Sequence, residues 1–349
     1  MANTNNNKET AMTYQQQMAI EYTLRLREVL SELPPFCRDF FRAIEPTTSP
    51  KTRISYAYDL RIFFKFLLER NPQFKGMALK DFTIDVLDQL LPVDIEEYQE
   101  YLKVYDANDK LIMNTEKGLS LRSFYNYYFK HQLIRTNPAL FVSMPKLHQK
   151  AIIKLDIDEV ASLLDYIENC GDSLKGQKKA YYEKTKIRDL AIITLLLGTG
   201  IRVSECVGLD LNDIDFKNNS IKVTRKGGNQ MYVYFGSEVE TALYDYLEQI
   251  RNHTAPLSGH ENALFLSVQK KRISVRAVQD LVHKYASAVT PNKHITPHKL
   301  RSTYGTNLYR ETGDIYLVAD VLGHKDVNTT KKHYEKRRQA ATAIRLRED

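Results

Sequence analysis

Cysteine is scarce in this chain. Only Cys37, Cys170 and Cys206 occur among 349 residues, and no two of them form a C-x-x-C pair. That excludes a disulfide scaffold and a cysteine-built structural zinc site, and it fits a reducing cytoplasm. Long apolar runs are missing too: none approaches the roughly 18 residues of a membrane span. Mean hydropathy is −0.44, so no membrane partner is expected. The opening stretch MANTNNNKET has no signal-peptide core, and a cytoplasmic location is expected. There is no Walker A phosphate loop, and Gly198-Thr199-Gly200 lacks the third glycine of a dinucleotide fingerprint. Acidic residues fall short of basic ones, 43 against 50, for a net charge of +7. That excess suits a polyanionic partner.

What is present is an ordinary globular composition, 43% apolar and 27% charged, in a chain long enough for two domains. The Asn-rich first ten or so residues read as a disordered tail. From Gln15 to about Phe41 the pattern is helical, interrupted by Pro34-Pro35. Ser49-Pro50 marks a helix start. Ile54, Tyr58, Ile62 and Phe66 then recur every fourth residue, with Ala57, Leu60, Phe64 and Leu67 beside them, which predicts an amphipathic helix. Further helices read at 84–90, 93–104 and 119–132. Residues 141–155, with Pro145, Lys146, Lys150 and Lys154, read as an extended basic connector. Beyond it, helices are expected at 157–169, 187–197, 238–251, 275–288, 297–312, 315–322 and 328–338. Residues 220–224 and 230–235 read as a β-hairpin. The domains expected are a helical leader over 1–45, a helical domain over 46–142, the connector over 143–155 and a mostly helical domain with a small sheet over 156–349.

Five segments of the second domain carry possible chemistry. In GTGIRVSECVGL (Gly198–Leu209) two glycines end an apolar helix and Arg202 begins the next, where backbone N–H groups also favour anions. Glu205 lies one turn on and can hold that guanidinium. In TRKGGNQ, Lys226 sits at the hairpin tip. In TPHKLRSTYGTNLYR (Thr296–Arg310), His298 and Arg301 are three apart and share a helix face. They suit one phosphate, Arg with its two-pronged fork and His with a proton near neutral pH. VLGHKDVNTT places His324 after Gly323, and KKHYEKRR sets Tyr334 among basic residues. Each segment alone also reads as a solvated polar surface. Their joint occurrence in this order is what singles them out.

Taken together, these motifs resemble the tyrosine site-specific DNA recombinases, over about residues 50–345. Within that family the chain is similar to the Xer recombinases, in particular the stand-alone, XerS-like branch. RDLAIITLLLGTGIRVSE (Arg188–Glu205), VTRKGG and the helical leader carry that likeness. Tyr334 lies ten residues after His324, where many relatives have nine.

The resemblance implies an α+β fold, mainly helical with a small sheet in the catalytic domain, in which two domains form a C-shaped DNA clamp. It implies Tyr334 as nucleophile, Arg202 and Arg301 on the non-bridging phosphate oxygens, Lys226 as general acid, His298 as general base, His324 on a phosphate oxygen and Glu205 orienting Arg202. No cofactor, metal or ATP is implied. The first domain would grip double-stranded DNA, with Arg122 and Lys130 on its last helix and Lys146, Lys150 and Lys154 in the connector touching it. A homo-tetramer on two duplexes is implied, its tail (339–349) docking in trans, with a septal DNA translocase as a further partner. Two roles compete: resolving chromosome dimers at a dif-like site during cell division, and integrating or excising a mobile element. The leader reads as helix, whereas arm-binding domains of element integrases are built of strands, and this favours the first. A non-catalytic DNA-binding protein and a type IB topoisomerase are the remote alternatives.

Overall fold

The computed structural model describes residues 12–105, 112–143, 153–225 and 228–323. The chain divides into two compact units, Met1–Gln149 and Lys150–Asp349.

The first unit is helical: α1 (Tyr14–Glu32), α2 (Cys37–Ala43), α3 (Pro50–Arg70), α4 (Asp85–Gln89), α5 (Pro92–Tyr105) and α6 (Ile112–Lys130). Each start has a local cause. The Thr13 hydroxyl accepts from the Gln16 N–H, while the Gln16 amide oxygen takes the Thr13 N–H at 2.9 Å, a reciprocal cap. Ser49 caps α3 and Pro50 fills its first position, where a missing N–H costs nothing. The apolar stripe expected in α3 turns inward: Ile54, Ala57, Leu60, Phe64, Phe66 and Leu67 are buried. They meet an aromatic core in which Phe124 packs edge-to-face on Phe40 at 5.2 Å and on Tyr128 at 5.0 Å, the arrangement that ring quadrupoles favour.

The second unit is built around α8 (Gly176–Thr199), which packs against α7 (Ile157–Asn169), α10 (Ser237–Tyr246) and α12 (Pro297–Thr312). Between α8 and α10 come α9 (Val203–Gly208) and a three-stranded antiparallel sheet: β1 (Ile214–Asp215), β2 (Ser220–Thr224) and β3 (Gln230–Tyr234), in that order. Ser220 faces Tyr234 and Thr224 faces Gln230. The unit continues through α11 (Val275–Val289), α12 and α13 (Ile315–Leu322). Ala191, Ile192, Ile193, Leu195 and Leu196 of α8 are fully buried. Below them Arg188 is paired with Asp189 at 2.6 Å and donates to the Leu266 carbonyl. The second Asp189 oxygen accepts from the Tyr285 hydroxyl. This buried network ties α8 to α11.

Two helices start earlier than their sequence patterns predict. α8 begins at Gly176 rather than 187 and α6 at Ile112 rather than 119. In α8 the added turns are polar, QKKAYYEKTK, good helix formers with no apolar period to announce them. The two-residue strand β1 has no alternation to read and was not expected. Leu155, placed in the connector by its basic neighbours, is buried in the second unit, where its N–H donates to the Thr303 hydroxyl at 3.0 Å.

Candidate active site

Gly200 ends α8 in the left-handed conformation, φ +62°, and the Tyr304 ring lies where a β-carbon would fall. Only glycine fits both demands. The turn it makes delivers Arg202 to the N-cap of α9. There the Arg202 N–H and Nη1 each donate to Glu205, to its two carboxylate oxygens, both at 2.8 Å. The Glu205 side chain is 3% exposed and that of Arg202 is 36% exposed, so the carboxylate is sheltered while the guanidinium still reaches solvent.

Arg301 comes from the second turn of α12 and is buried. Its Nη1 donates to the Gly200 carbonyl at 2.5 Å and its Nη2 to the Leu322 carbonyl. His298, one turn earlier, is exposed. The helix therefore sends the two residues to different depths.

The centre of the site is the C-terminal end of α13. Gly323 caps it at φ +59°, and the last carbonyls, which lack helical partners, face arginines. Val321 accepts from Arg225, Leu322 from Arg225 and Arg301, and Gly323 from Arg202 at 3.3 Å. Guanidinium groups are favoured at the negative end of a helix dipole. Arg202 and Arg301, read from separate motifs, are thus brought together just before position 324.

Arg225 is the residue sequence reasoning missed. A signal existed: Ile221, Val223 and Arg225 alternate inward, so period two continues the buried face of β2 into the turn. Burial pulls the Arg225 guanidinium below its usual range and nearby Arg202 adds to this, while Glu205 and Asp320 oppose it.

Burial acts on two other side chains near the site. Burial pushes the Cys206 thiol up to about 12, which leaves it unionised. Burial also raises the Tyr304 phenol, with Glu311 adding to the effect. Among the described residues, no group of three or more His, Cys, Asp or Glu is placed to hold a metal ion, and no helix is long and apolar enough to cross a membrane.

Lys226, His324, Tyr334, Lys146 and Lys150 lie outside the described residues. Of the lysines and arginines expected on DNA, Lys130 is exposed at the end of α6. Arg122 is otherwise engaged: its guanidinium donates to the carbonyls of Ala139 at 3.1 Å and Val142 at 2.7 Å. Lys154 pairs with Asp156 at 2.9 Å, with its side chain only 11% exposed. Both are occupied by ties inside their own units, a demand that the local sequence does not display.

Similarity to known proteins agrees with this geometry. The profile described as the phage integrase family matches residues 154–340. The tyrosine recombinase XerC of Caldanaerobacter subterraneus subsp. tengcongensis is 35% identical, over 85% of this chain and 82% of its own length. The chain belongs to the phage integrase family of tyrosine recombinases. It is an enzyme of site-specific DNA breakage and rejoining. The tyrosine recombinase XerS of Streptococcus uberis is 30% identical to this recombinase, over 88% of this chain and 93% of its own. In fold, the recombinase is similar to the XerH site-specific recombinase bound to its difH substrate, with a TM-score of 0.60 at 19% identity, covering 85% of this chain and 80% of that one. It is also similar to the Tn1549 transposon integrase in complex with circular intermediate DNA, with a TM-score of 0.62 at 21% identity, covering 85% and 94%.

Proposed function

We propose that this recombinase acts at a dif-like site to resolve chromosome dimers during cell division, as a homo-tetramer on two duplexes in the cytoplasm. The observation that supports the chemistry is the convergence of Arg202 and Arg301 on the end of α13, one residue before His324. Similarity to relatives named XerC and XerS over most of their length supports the Xer role. So does the leader, which is helical in α1 and α2.

In the reaction, the Tyr334 oxygen attacks the scissile phosphorus as the bond from phosphorus to the 5′ oxygen breaks. A 3′-phosphotyrosyl bond forms and a 5′ hydroxyl leaves. Tyrosine has a pKa of about 10 and is little ionised at neutral pH, so its proton passes to a base, His298. Lys226 gives a proton to the leaving 5′ oxygen. Arg202 and Arg301 stabilise the charge gathering on the non-bridging oxygens, with His324 on one of them and Glu205 holding Arg202. The energy of the broken bond is conserved in the phosphotyrosine, and rejoining reverses the steps on a new 5′ hydroxyl. The first unit supplies the grip on the duplex, with Lys130 facing it and the connector lysines Lys146 and Lys150 adding charge. A septal DNA translocase is a partner compatible with this role.

The test is to trap covalent complexes on nicked suicide duplexes cut from the host genome. The expected result is one chromosomal dif-like site joined to the protein, and no adduct with Tyr334→Phe. Adducts confined to the ends of a mobile element would replace the dimer-resolution role with integration and excision. An adduct that persists in Tyr334→Phe would assign the nucleophile to another tyrosine.

A further inference from the structure

We infer that Arg225 is a positioning residue, a strut that ties the base of the β2–β3 turn to the C-terminal end of α13 and so serves Lys226, its neighbour in sequence, resting on the acid role proposed for Lys226. Two sets of bonds hold Arg225. Its backbone forms the base of the turn: its N–H donates to the Asn229 carbonyl at 2.7 Å, and its carbonyl accepts from the Gly228 N–H at 3.0 Å. Its side chain crosses to the helix, where Nη1 donates to the Leu322 carbonyl and Nη2 to the Val321 carbonyl at 2.7 Å.

The carbonyls it uses are the ones the other arginines use. Leu322 accepts from both Arg225 and Arg301, and the next carbonyl, Gly323, accepts from Arg202. Three adjacent carbonyls therefore set the distance between the turn that carries Lys226 and the guanidinium groups assigned to the phosphate. A lysine side chain is long and has many rotamers. Delivering its proton to one leaving oxygen requires that the backbone beneath it be fixed.

Packing alone does not account for an arginine here. The residue is 8% exposed, and its Nε–H is buried with no partner among the described residues. A second buried positive charge beside Arg301, and close to the part-exposed Arg202, disfavours the fold, and an unpartnered buried donor adds to that cost. A methionine would fill similar volume without either. What arginine provides, and methionine lacks, is the two-pronged bond to consecutive carbonyls.

The experiment measures single-turnover cleavage by the full-length protein on a suicide duplex with oxygen or sulfur at the bridging 5′ position. Sulfur is a better leaving group and needs no acid. Arg225→Met is expected to cleave the oxygen duplex about 10- to 100-fold more slowly than the parent, less than the roughly 100- to 10,000-fold of losing a general acid outright, and the sulfur duplex at nearly the parent rate. Arg225→Lys, which can keep one carbonyl bond, is expected to fall between. Lys226→Ala is the control. If sulfur rescues Lys226→Ala but not a folded Arg225→Met, Arg225 does not act through the acid and the strut is overturned. If sulfur fails to rescue Lys226→Ala, the acid is another residue; the assigned role of Lys226 then fails, and the strut's role fails with it. Melting temperatures are taken in parallel. If both Arg225 variants fail to fold, Arg225 is an architectural residue and the proposal is equally overturned.

Discussion

The Arg225 guanidinium lies against Gly323 so closely that a β-carbon built on the glycine would fall 1.7 Å from Arg225 Nη1. Gly323 also stands at φ +59°, a conformation that costs other residues about 1–2 kcal/mol. Gly323→Ala therefore meets two obstacles at once. It should lower the melting temperature and, by displacing the end of α13, slow covalent adduct formation by about 100-fold, the scale of a misplacement near 1 Å. Suicide-substrate cleavage alongside thermal unfolding checks this. Parent-like cleavage by Gly323→Ala would show that the end of α13 need not be held where it is.

Glu205 is the sheltered carboxylate under Arg202. Glu205→Gln keeps the shape but removes the charge and one acceptor. The expected loss of stability is about 1–3 kcal/mol, the cost of a buried group left short of a partner. Cleavage should fall, though by less than in Arg202→Ala, because the guanidinium remains with poorer aim. Denaturant unfolding and single-turnover rates for both variants measure the difference. Equal rates for Glu205→Gln and the parent would remove Glu205 from any part in the site.

Gly198 illustrates an inverted propensity. Alanine usually improves a helix interior by about 1 kcal/mol over glycine. Here its β-carbon would lie 2.4 Å from Val239 Cγ2, at the contact between α8 and α10. Gly198→Ala should destabilise by about 1–3 kcal/mol, as overpacking does. The double variant with Val239→Ala should be more stable than the sum of the two single effects allows. Strict additivity in urea melts would mean that α8 and α10 separate freely at this point.

DNA affinity should depend steeply on salt. Each phosphate neutralised contributes about 0.9 to the slope of log K against log salt. Three or more contacts therefore give a slope steeper than about 2.7. Fluorescence anisotropy with the trapped site, between low and physiological salt, gives that slope, and a value near zero would exclude binding through the basic residues named here.

Local signals in the chain announce much of the second unit. α12 runs over Pro297–Thr312 and α13 over Ile315–Leu322, as their caps and periods predict, because Pro297 and the glycines at 313 and 323 are local signals. The Arg202–Glu205 pair is legible because both residues sit within one helical turn. Arg225 is less so, because its partners lie 96 and 97 residues further along the chain and only its place on the period-two inward face of β2 hints at its burial. The same blindness applies to Arg122 and Lys154. A positive charge in a basic stretch looks available for DNA until the carbonyls or carboxylate it serves are located. Helix starts escape detection where polar residues continue a helix without an apolar period, as in the first turns of α8.

α13 has only eight residues, too few to be stable as an isolated helix in water. Its last backbone oxygens give the arginine cluster something negative to hold. In the roles proposed for these arginines, the end of the helix is a resident stand-in for the anion. Side chains such as arginine lose up to about 2 kcal/mol of rotamer freedom when fixed. At Arg202 and Arg301 much of that loss is incurred when the protein folds, before DNA arrives. In the roles proposed for them, they meet the phosphate with their direction already chosen.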